Sequence, residues 1–270
     1  MSTSSAPQKI PGLRDYFTSA LYLVFFMVAL LVFDPIQRVL DCLGRRFQQK
    51  GIIFLSRVLI GGLKICGVNF EYTSADSPLV NLPLNRPLVI VSNHQSLFDI
   101  LSLSILFAAH LPRFISKQEL GRGIPTVSFN LRYGGSALID RKNRRQALAE
   151  IANLAERLNA GKFAVVIFPE GTRAKDGVLK PFKISGPTTL LSAVPEALIV
   201  PVAIDGSWII AKHKMMWPIP YGTKVTLRVG PAIEPGQDPI AAIKKAEAYV
   251  RDELARSRGV PQELAIASSS

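Results

Sequence analysis

Cysteine and histidine are both scarce in this chain, with two of the former and three of the latter among 270 residues. Cys42 and Cys66 stand apart, without the close Cys/His spacing that a metal or redox site needs, and two thiols suggest no disulfide framework. A reducing location that faces the cytoplasm fits best. His110 and His213 likewise lack metal-ligand spacing. There is no Walker loop, no dinucleotide glycine fingerprint and no Gly-x-Ser-x-Gly elbow, so no cofactor and no metal are expected, and neither is a serine nucleophile of the elbow type. Acidic residues are few as well: 20 against 32 basic ones, a net charge of +12. Such a balance favours an anionic partner, whether nucleic acid, an anionic membrane or a phosphorylated ligand. No nucleic-acid module signature is present, and no basic stripe is interleaved with exposed aromatics. Nucleic acid is therefore not expected, and membrane and phosphate lead.

What is plentiful is apolar sequence, 48% of residues against 19% charged. Residues 1–15 are polar and serine-rich and read as a flexible tail. From Tyr16 to Phe33 the chain then runs without a charge, Thr18 and Ser19 being the strongly polar members, which is long enough to cross a bilayer. Asp34-Pro35 closes the run with no small-x-small cleavage pattern, so it reads as an anchor rather than a signal peptide. Arg38, Arg45, Arg46 and Lys50 follow it, which places the downstream domain on the cytoplasmic face of an inner membrane. The next apolar stretch, Gly51 to Val68, carries Lys50, Arg57 and Lys64 at seven-residue spacing on one helical face. That pattern suits a helix lying in the headgroup plane, and equally one packed on the domain with a solvated basic stripe. Residues 16–70 are thus read as membrane-anchoring helices.

From Glu71 the pattern changes to short apolar runs alternating with amphipathic segments, the mark of an α/β domain over residues 71–257, with a second flexible tail over 258–270. Strands are expected at Leu88–Val91, Arg113–Ile115, Ala137–Ile139, Phe163–Phe168, Ala197–Ile204 and Thr223–Val229. Helices are expected from Leu97, over Arg144–Leu158 and over Ile240–Leu254. Trp208 and Trp217 fall in late loops, where they could touch a membrane interface or simply pack.

Two stretches carry chemistry. Asn93-His94-Gln95-Ser96-Leu97-Phe98-Asp99 follows the first buried strand. Ser96 and Asp99 form a capping box, so a helix begins just after Ser96 and His94 lies in the strand-to-helix turn. A neutral imidazole there can accept a proton near pH 7, with a carboxylate one turn away to fix its tautomer and steady the imidazolium. The plain alternative is that Asp99 only caps the helix. The second stretch, Pro169-Glu170-Gly171-Thr172-Arg173, also follows a buried strand. It offers a glycine turn, a hydroxyl and a guanidinium fork suited to phosphate or carboxylate, although Glu170 and Arg173 could simply pair with each other.

These stretches resemble the N-H-x-x-x-x-D and F-P-E-G-T-R motifs of the glycerolipid acyltransferases typified by bacterial 1-acylglycerol-3-phosphate acyltransferase. Gly134 to Arg141 is similar to that family's G-x-x-x-I-D-R block, and Val200-Pro201-Val202-Ala203-Ile204 to its V-P-V-x-I strand. The resemblance implies an α/β fold, with a central mixed β-sheet flanked by helices and preceded by an N-terminal membrane-associating helical segment. It implies that His94, oriented by Asp99, deprotonates the free hydroxyl of a lysophospholipid, which attacks the thioester of acyl-CoA or acyl carrier protein. It also implies a substrate-binding set of Arg141, Glu170, Gly171, Thr172 and Arg173 around the acceptor's phosphate, Glu170 fixing the loop because its charge has the wrong sign for an anion. Lys117, between the two motifs, is a candidate oxyanion donor, with backbone amides as the alternative. The expected product is phosphatidate. Another lysolipid acceptor such as lyso-ornithine lipid, or a non-catalytic lipid-binding role for the same fold, stands as the alternative.

Overall fold

The computed structural model describes residues 10–74, 82–213 and 216–260. Seven strands form one sheet: β1 (Asn69–Ser74), β2 (Leu88–Ser92), β3 (Arg113–Lys117), β4 (Ala137–Ile139), β5 (Ala164–Ile167), β6 (Leu198–Asp205) and β7 (Lys224–Val229). Their order is β1-β7-β6-β2-β5-β3-β4. Every pair is parallel except β6 with β7, so the sheet is mixed, as expected.

β2 lies at the centre, with Leu88 opposite Ala164 of β5 on one side and Leu198 of β6 on the other. It reads as an unbroken apolar run because both of its faces are covered. Successive side chains point to opposite sides of a strand. Val89 and Val91 therefore join Val165, Ile167 and Ile199 under α5 (Arg144–Gly161), α6 (Ser185–Ala193) and α8 (Pro239–Arg258), with Leu154, Leu158, Leu190, Ile243 and Val250 closing that layer. Leu88 and Ile90 join Ala164, Val166 and Val200 beneath α3 (Leu97–Leu106), whose Phe98 and Leu103 are fully buried. The elements legible as strands and helices in the sequence all form, with ends displaced by a few residues. Three helices were not: α4 (Val127–Tyr133), α6 and the single turn α7 (Ser207–Ile210).

The N-terminal apolar run is the middle of a longer helix, α1 (Leu13–Cys42), which begins inside the stretch read as a tail. It is long and apolar enough to cross a membrane, and at 1.5 Å per residue it reaches about 45 Å. Yet α1 is fastened along the domain. At its start Asp15 accepts from the amide of Tyr221 at 2.6 Å, and the hydroxyl of Ser19 accepts from Ile219 N at 2.7 Å. In the middle the Tyr22 hydroxyl donates to Leu59 O at 3.1 Å. Further on, Thr126 donates its hydroxyl to Leu30 O at 2.7 Å and its amide to Asp34 Oδ1 at 2.5 Å, and Gln37 Nε2 donates to Thr126 O at 2.9 Å. The opposite face is bare and apolar, with Phe17, Val24, Val28, Leu31, Val32 and Val39 all exposed.

α2 (Arg45–Gly62) packs on α1 and α3 through Leu55 and Leu59. Lys50, Arg57 and Lys64 face outward, and Phe47 and Phe54 are exposed with them. The helix is packed on the domain, and its outer surface is mixed basic and aromatic.

Candidate active site

Because β2 to β6 run parallel, the segments that leave them emerge at one end of the sheet. His94 lies two residues past β2, Lys117 ends β3, Arg141 lies two residues past β4, Pro169–Arg173 follows β5, and Ser207 follows β6. From β2 the chain passes to α3 on one face, and from β5 it leads to α6 on the other. A crevice at such a divergence of neighbouring strands is where open α/β sheets place ligands.

α3 begins where the capping box requires. Ser96 Oγ accepts from Phe98 N at 3.1 Å, and Asp99 Oδ2 accepts from Ser96 N at 2.7 Å. The same carboxylate oxygen accepts from Gln95 N at 2.6 Å and lies 2.9 Å from His94 Nδ1. Capping and bracing are therefore not competing readings of Asp99, since one oxygen does both. Its other oxygen accepts from Ser207 Oγ at 2.5 Å. An ionised carboxylate can only accept, so it fixes the proton of neutral His94 on Nδ1 and leaves Nε2 unprotonated, the form a general base needs. The imidazole stacks on Phe168, with ring centres 4.1 Å apart and planes 16° from parallel. Asn93 holds the turn from the other side: its amide exchanges two 2.8 Å hydrogen bonds with the backbone of Ile204, as a strand residue would.

The second loop is stitched to the first. Glu170 is 3% exposed. One of its oxygens accepts from His94 N at 2.6 Å and the other from Lys180 N at 3.0 Å, while Ala174 N donates to His94 O at 2.7 Å. Burial pushes the Glu170 carboxyl up to about 7, against the pull of those two amides. Within the set that the resemblance implies around the phosphate, this geometry supports the loop-fixing role for Glu170. Both of its oxygens are engaged with backbone, and it fixes the loop beside His94. It does not pair with Arg173 either.

Gly171 sits in the left-handed region at φ +71°, and a Cβ there would come within 3.2 Å of Lys183 Nζ, so glycine serves both the turn and the approach of that ammonium. Lys180 Nζ donates to Thr172 Oγ1 at 3.0 Å and to Arg173 O at 3.1 Å. Arg173 and Arg141 are both exposed, and neither forms a salt bridge among the described residues. Partial desolvation and then the charge of Arg173 lower the pKa of Arg141 below the usual guanidinium range, while Glu119 pulls the other way. Two exposed guanidiniums at one sheet end suit a phosphate. Lys117 shares this sheet end, but its ammonium is 3.8 Å from Glu119 and its strand is separated from β2 by β5.

Sequence reasoning missed Ser207 as a partner of Asp99, and it gave no role to Lys180 or Lys183. The lysines showed only as charge density after the motif, and Ser207 carried no local signal because it lies 108 residues from Asp99. Trp208 N points at Gln95 Oε1 from 3.3 Å and its indole lies against Gly177, while Trp217, 48% exposed, sits edge-on to Tyr16 and donates Nε1 to Tyr16 O at 3.0 Å. Among the described residues no group of three or more His, Cys, Asp or Glu could hold a metal ion.

Comparison with known proteins agrees with this arrangement. A family model described as Acyltransferase matches residues 76–205. The chain is 28% identical over 174 residues to 1-acyl-sn-glycerol-3-phosphate acyltransferase alpha of Ovis aries, covering 64% of this chain and 56% of that protein. It is 40% identical over 121 residues to the 1-acyl-sn-glycerol-3-phosphate acyltransferase of Helicobacter pylori, covering 44% and 50%. The chain thus spans about half the length of the curated relatives it matches. The crystal structure of the 1-acyl-sn-glycerophosphate (LPA) acyltransferase PlsC from Thermotoga maritima superposes with a TM-score of 0.69 at 25% identity, covering 90% of this chain and 98% of that one. With its two motifs joined at one sheet end, the chain resembles the 1-acyl-sn-glycerol-3-phosphate acyltransferases in sequence around the site, and it shares the PlsC fold over nearly its whole length.

Proposed function

We propose that this protein transfers a fatty acyl group from a thioester, acyl-CoA or acyl carrier protein, to the free hydroxyl of 1-acylglycerol-3-phosphate, giving phosphatidate. The observation that carries the reading is the 2.9 Å contact of His94 Nδ1 with a buried Asp99, at the sheet end where Arg173 follows β5 and Arg141 follows β4. In this reading His94 Nε2 takes the hydroxyl proton as the oxygen bonds to the thioester carbonyl carbon. The tetrahedral adduct then collapses, the C–S bond breaks, and the departing thiolate takes the proton back from the imidazolium. Acyl oxygen and proton are both accounted for, and no acyl-enzyme is required.

Arg141 and Arg173 hold the acceptor phosphate, with Gly171 shaping the turn and Thr172 held by Lys180. Lys117 is the side-chain candidate for the oxyanion. The bare apolar face of α1 and the basic-aromatic face of α2 suit a membrane surface, where the acceptor resides. Because α1 is tied to the domain at both ends, we place it lying in the interface rather than crossing the bilayer alone. The free thiols Cys42 and Cys66 suit the cytoplasmic face.

The test is to incubate the purified protein with labelled acyl-CoA, or acyl carrier protein, and a panel of lysolipids. Phosphatidate should form fastest from 1-acylglycerol-3-phosphate. A phosphate-free acceptor such as lyso-ornithine lipid used at the same rate would overturn the acceptor assignment.

A further inference from the structure

At the opposite end of the sheet from His94 lies a cavity of about 390 Å³. It is bounded by the start of α2, the residues leading into β3, β4 and β5, and the end of α5. Four arginines line it: Arg45, Arg46, Arg113 and Arg157. Arg113 forms the base and is only 5% exposed, while the other three stand exposed at the rim. The one hydrogen bond of the Arg113 guanidinium among the described residues runs from Nη1 to Leu111 O at 2.9 Å. The aromatic ring of Phe163 lies beneath it at 5.3 Å. None of the four arginines forms a salt bridge among the described residues, and no acidic side chain lines the cavity.

Gly135 keeps the edge of that guanidinium open. A Cβ on it would stand 3.0 Å from Arg113 Nε, and the residue is in the left-handed region at φ +85°. The block from Gly134 to Arg141 therefore serves both ends of the sheet, Gly135 at this cavity and Arg141 at the candidate active site. Burial, followed by the charges of Arg45 and Arg157, lowers Arg113 to about 10. The last carbonyls of α5 face the same end, but a helix terminus supplies only about half a negative charge and cannot neutralise four guanidiniums.

A buried guanidinium with free donors costs stability unless an anion meets it. We propose that this cavity is a second anion site, separate from the candidate active site, in which Arg113 receives a phosphate group that Arg45, Arg46 and Arg157 close over. The phosphate belongs either to a membrane phospholipid or to a soluble phosphate compound. Exposed Val39, Leu43 and Phe47 adjoin Arg45 and Arg46 in the chain and bring the rim towards the proposed lipid surface.

The test begins from R141Q/R173Q, in which the other arginine pair no longer contributes. In detergent, inorganic phosphate should raise its melting temperature by roughly 3 °C over chloride of equal ionic strength, once phosphate is about tenfold above its Kd. Adding R45Q/R157Q, both at exposed positions, should abolish the rise, whereas adding R45K/R157K should weaken it because the planar fork is lost. No rise in R141Q/R173Q, or an equal rise after R45Q/R157Q, overturns the site. Flotation with phosphatidylcholine vesicles, with and without phosphatidylglycerol, distinguishes the sources. A several-fold loss of the phosphatidylglycerol dependence in R45Q/R157Q identifies a lipid headgroup, and unchanged flotation alongside a lost phosphate shift identifies a soluble phosphate.

Discussion

Asp99→Asn separates the charge of the brace from its geometry. In the wild type, Asp99 Oδ2 receives His94 Nδ1, Gln95 N and Ser96 N, and Oδ1 receives Ser207 Oγ. An asparagine can keep every one of these contacts. Its carbonyl oxygen takes the place of Oδ2, because an NH2 there would face three donors, and its NH2 turns to Ser207, whose hydroxyl can accept as well as donate. The cap, the turn and the tautomer of His94 therefore survive, and the melting temperature should fall by no more than a few degrees. What is lost is the negative charge beside an imidazolium that exists only once the proton has moved. A unit charge about 4 Å away is worth about 4 kcal/mol at an effective dielectric constant near 20, which corresponds to about a thousandfold in rate. The expected result is a kcat lower by about 10³ with KM for the acceptor nearly unchanged, measured from labelled phosphatidate under saturating acyl donor. A loss smaller than tenfold, in a protein shown to be folded, would refute the claim that Asp99 stabilises a charge forming on His94.

Other outcomes follow from the same geometry. Ser207→Ala removes one of five donors to a buried carboxylate and should lower kcat about tenfold, with KM unchanged; unaltered kcat would show that this hydroxyl only fills space. Arg173→Gln should raise KM for 1-acylglycerol-3-phosphate at least tenfold while leaving KM for the acyl donor within twofold, and equal effects on both would remove Arg173 from the phosphate seat. Lys117→Met should lower kcat rather than raise KM if its ammonium meets the oxyanion, and the reverse pattern would assign it to the phosphate. Glu170 gives a pH test. Its folded-state pKa is raised from the usual 4.5 to about 7. The folded protein therefore holds this proton more tightly than the unfolded chain, and the contribution is full below pH 4.5 and lost as pH rises to about 7. Over that window the wild type should lose up to about 3 kcal/mol relative to Glu170→Gln, seen as a steeper fall of melting temperature with pH. Parallel curves would mean that Glu170 is ionised throughout.

The parts of the site that were legible in the sequence are those whose interactions are local. Asn93 to Asp99 contains its own cap and a histidine–carboxylate pair within seven consecutive residues, so spacing placed the turn and the helix start, and the resemblance to the acyltransferase motif singled out the pair. β2 and β5 were equally plain, because strands buried on both faces have to be apolar at every position. What escaped depends on distant chain segments. Ser207 reaches Asp99 only because β6 lies beside β2, and nothing around it marks it in advance. Glu170 read as part of a charged loop, and only the fold reveals that its carboxylate is turned inward onto the amides of His94 and Lys180. β1 is an edge strand paired only with β7, and its polar run Asn69-Phe70-Glu71-Tyr72-Thr73-Ser74 lacks the apolar continuity of the central strands. The N-terminal run satisfied every criterion of length and hydropathy for a span. Its attachment to the domain rests on the stripe Asp15, Ser19, Tyr22, Leu30, Phe33 and Gln37, in which polar members flank an apolar middle along one face. Composition alone reports the lipid-like face of α1 and passes over this one.

The central claim is that the imidazole of His94 removes the proton that frees the acceptor oxygen, and replacing it tests that claim most directly. His94→Ala, compared with wild type for phosphatidate formation from 1-acylglycerol-3-phosphate and a labelled acyl thioester, should form no product above background. Its melting temperature and its binding to vesicles should match the wild type. Turnover within a few-fold of wild type would contradict the account and leave the chain as a membrane-seated α/β fold whose chemistry lies elsewhere.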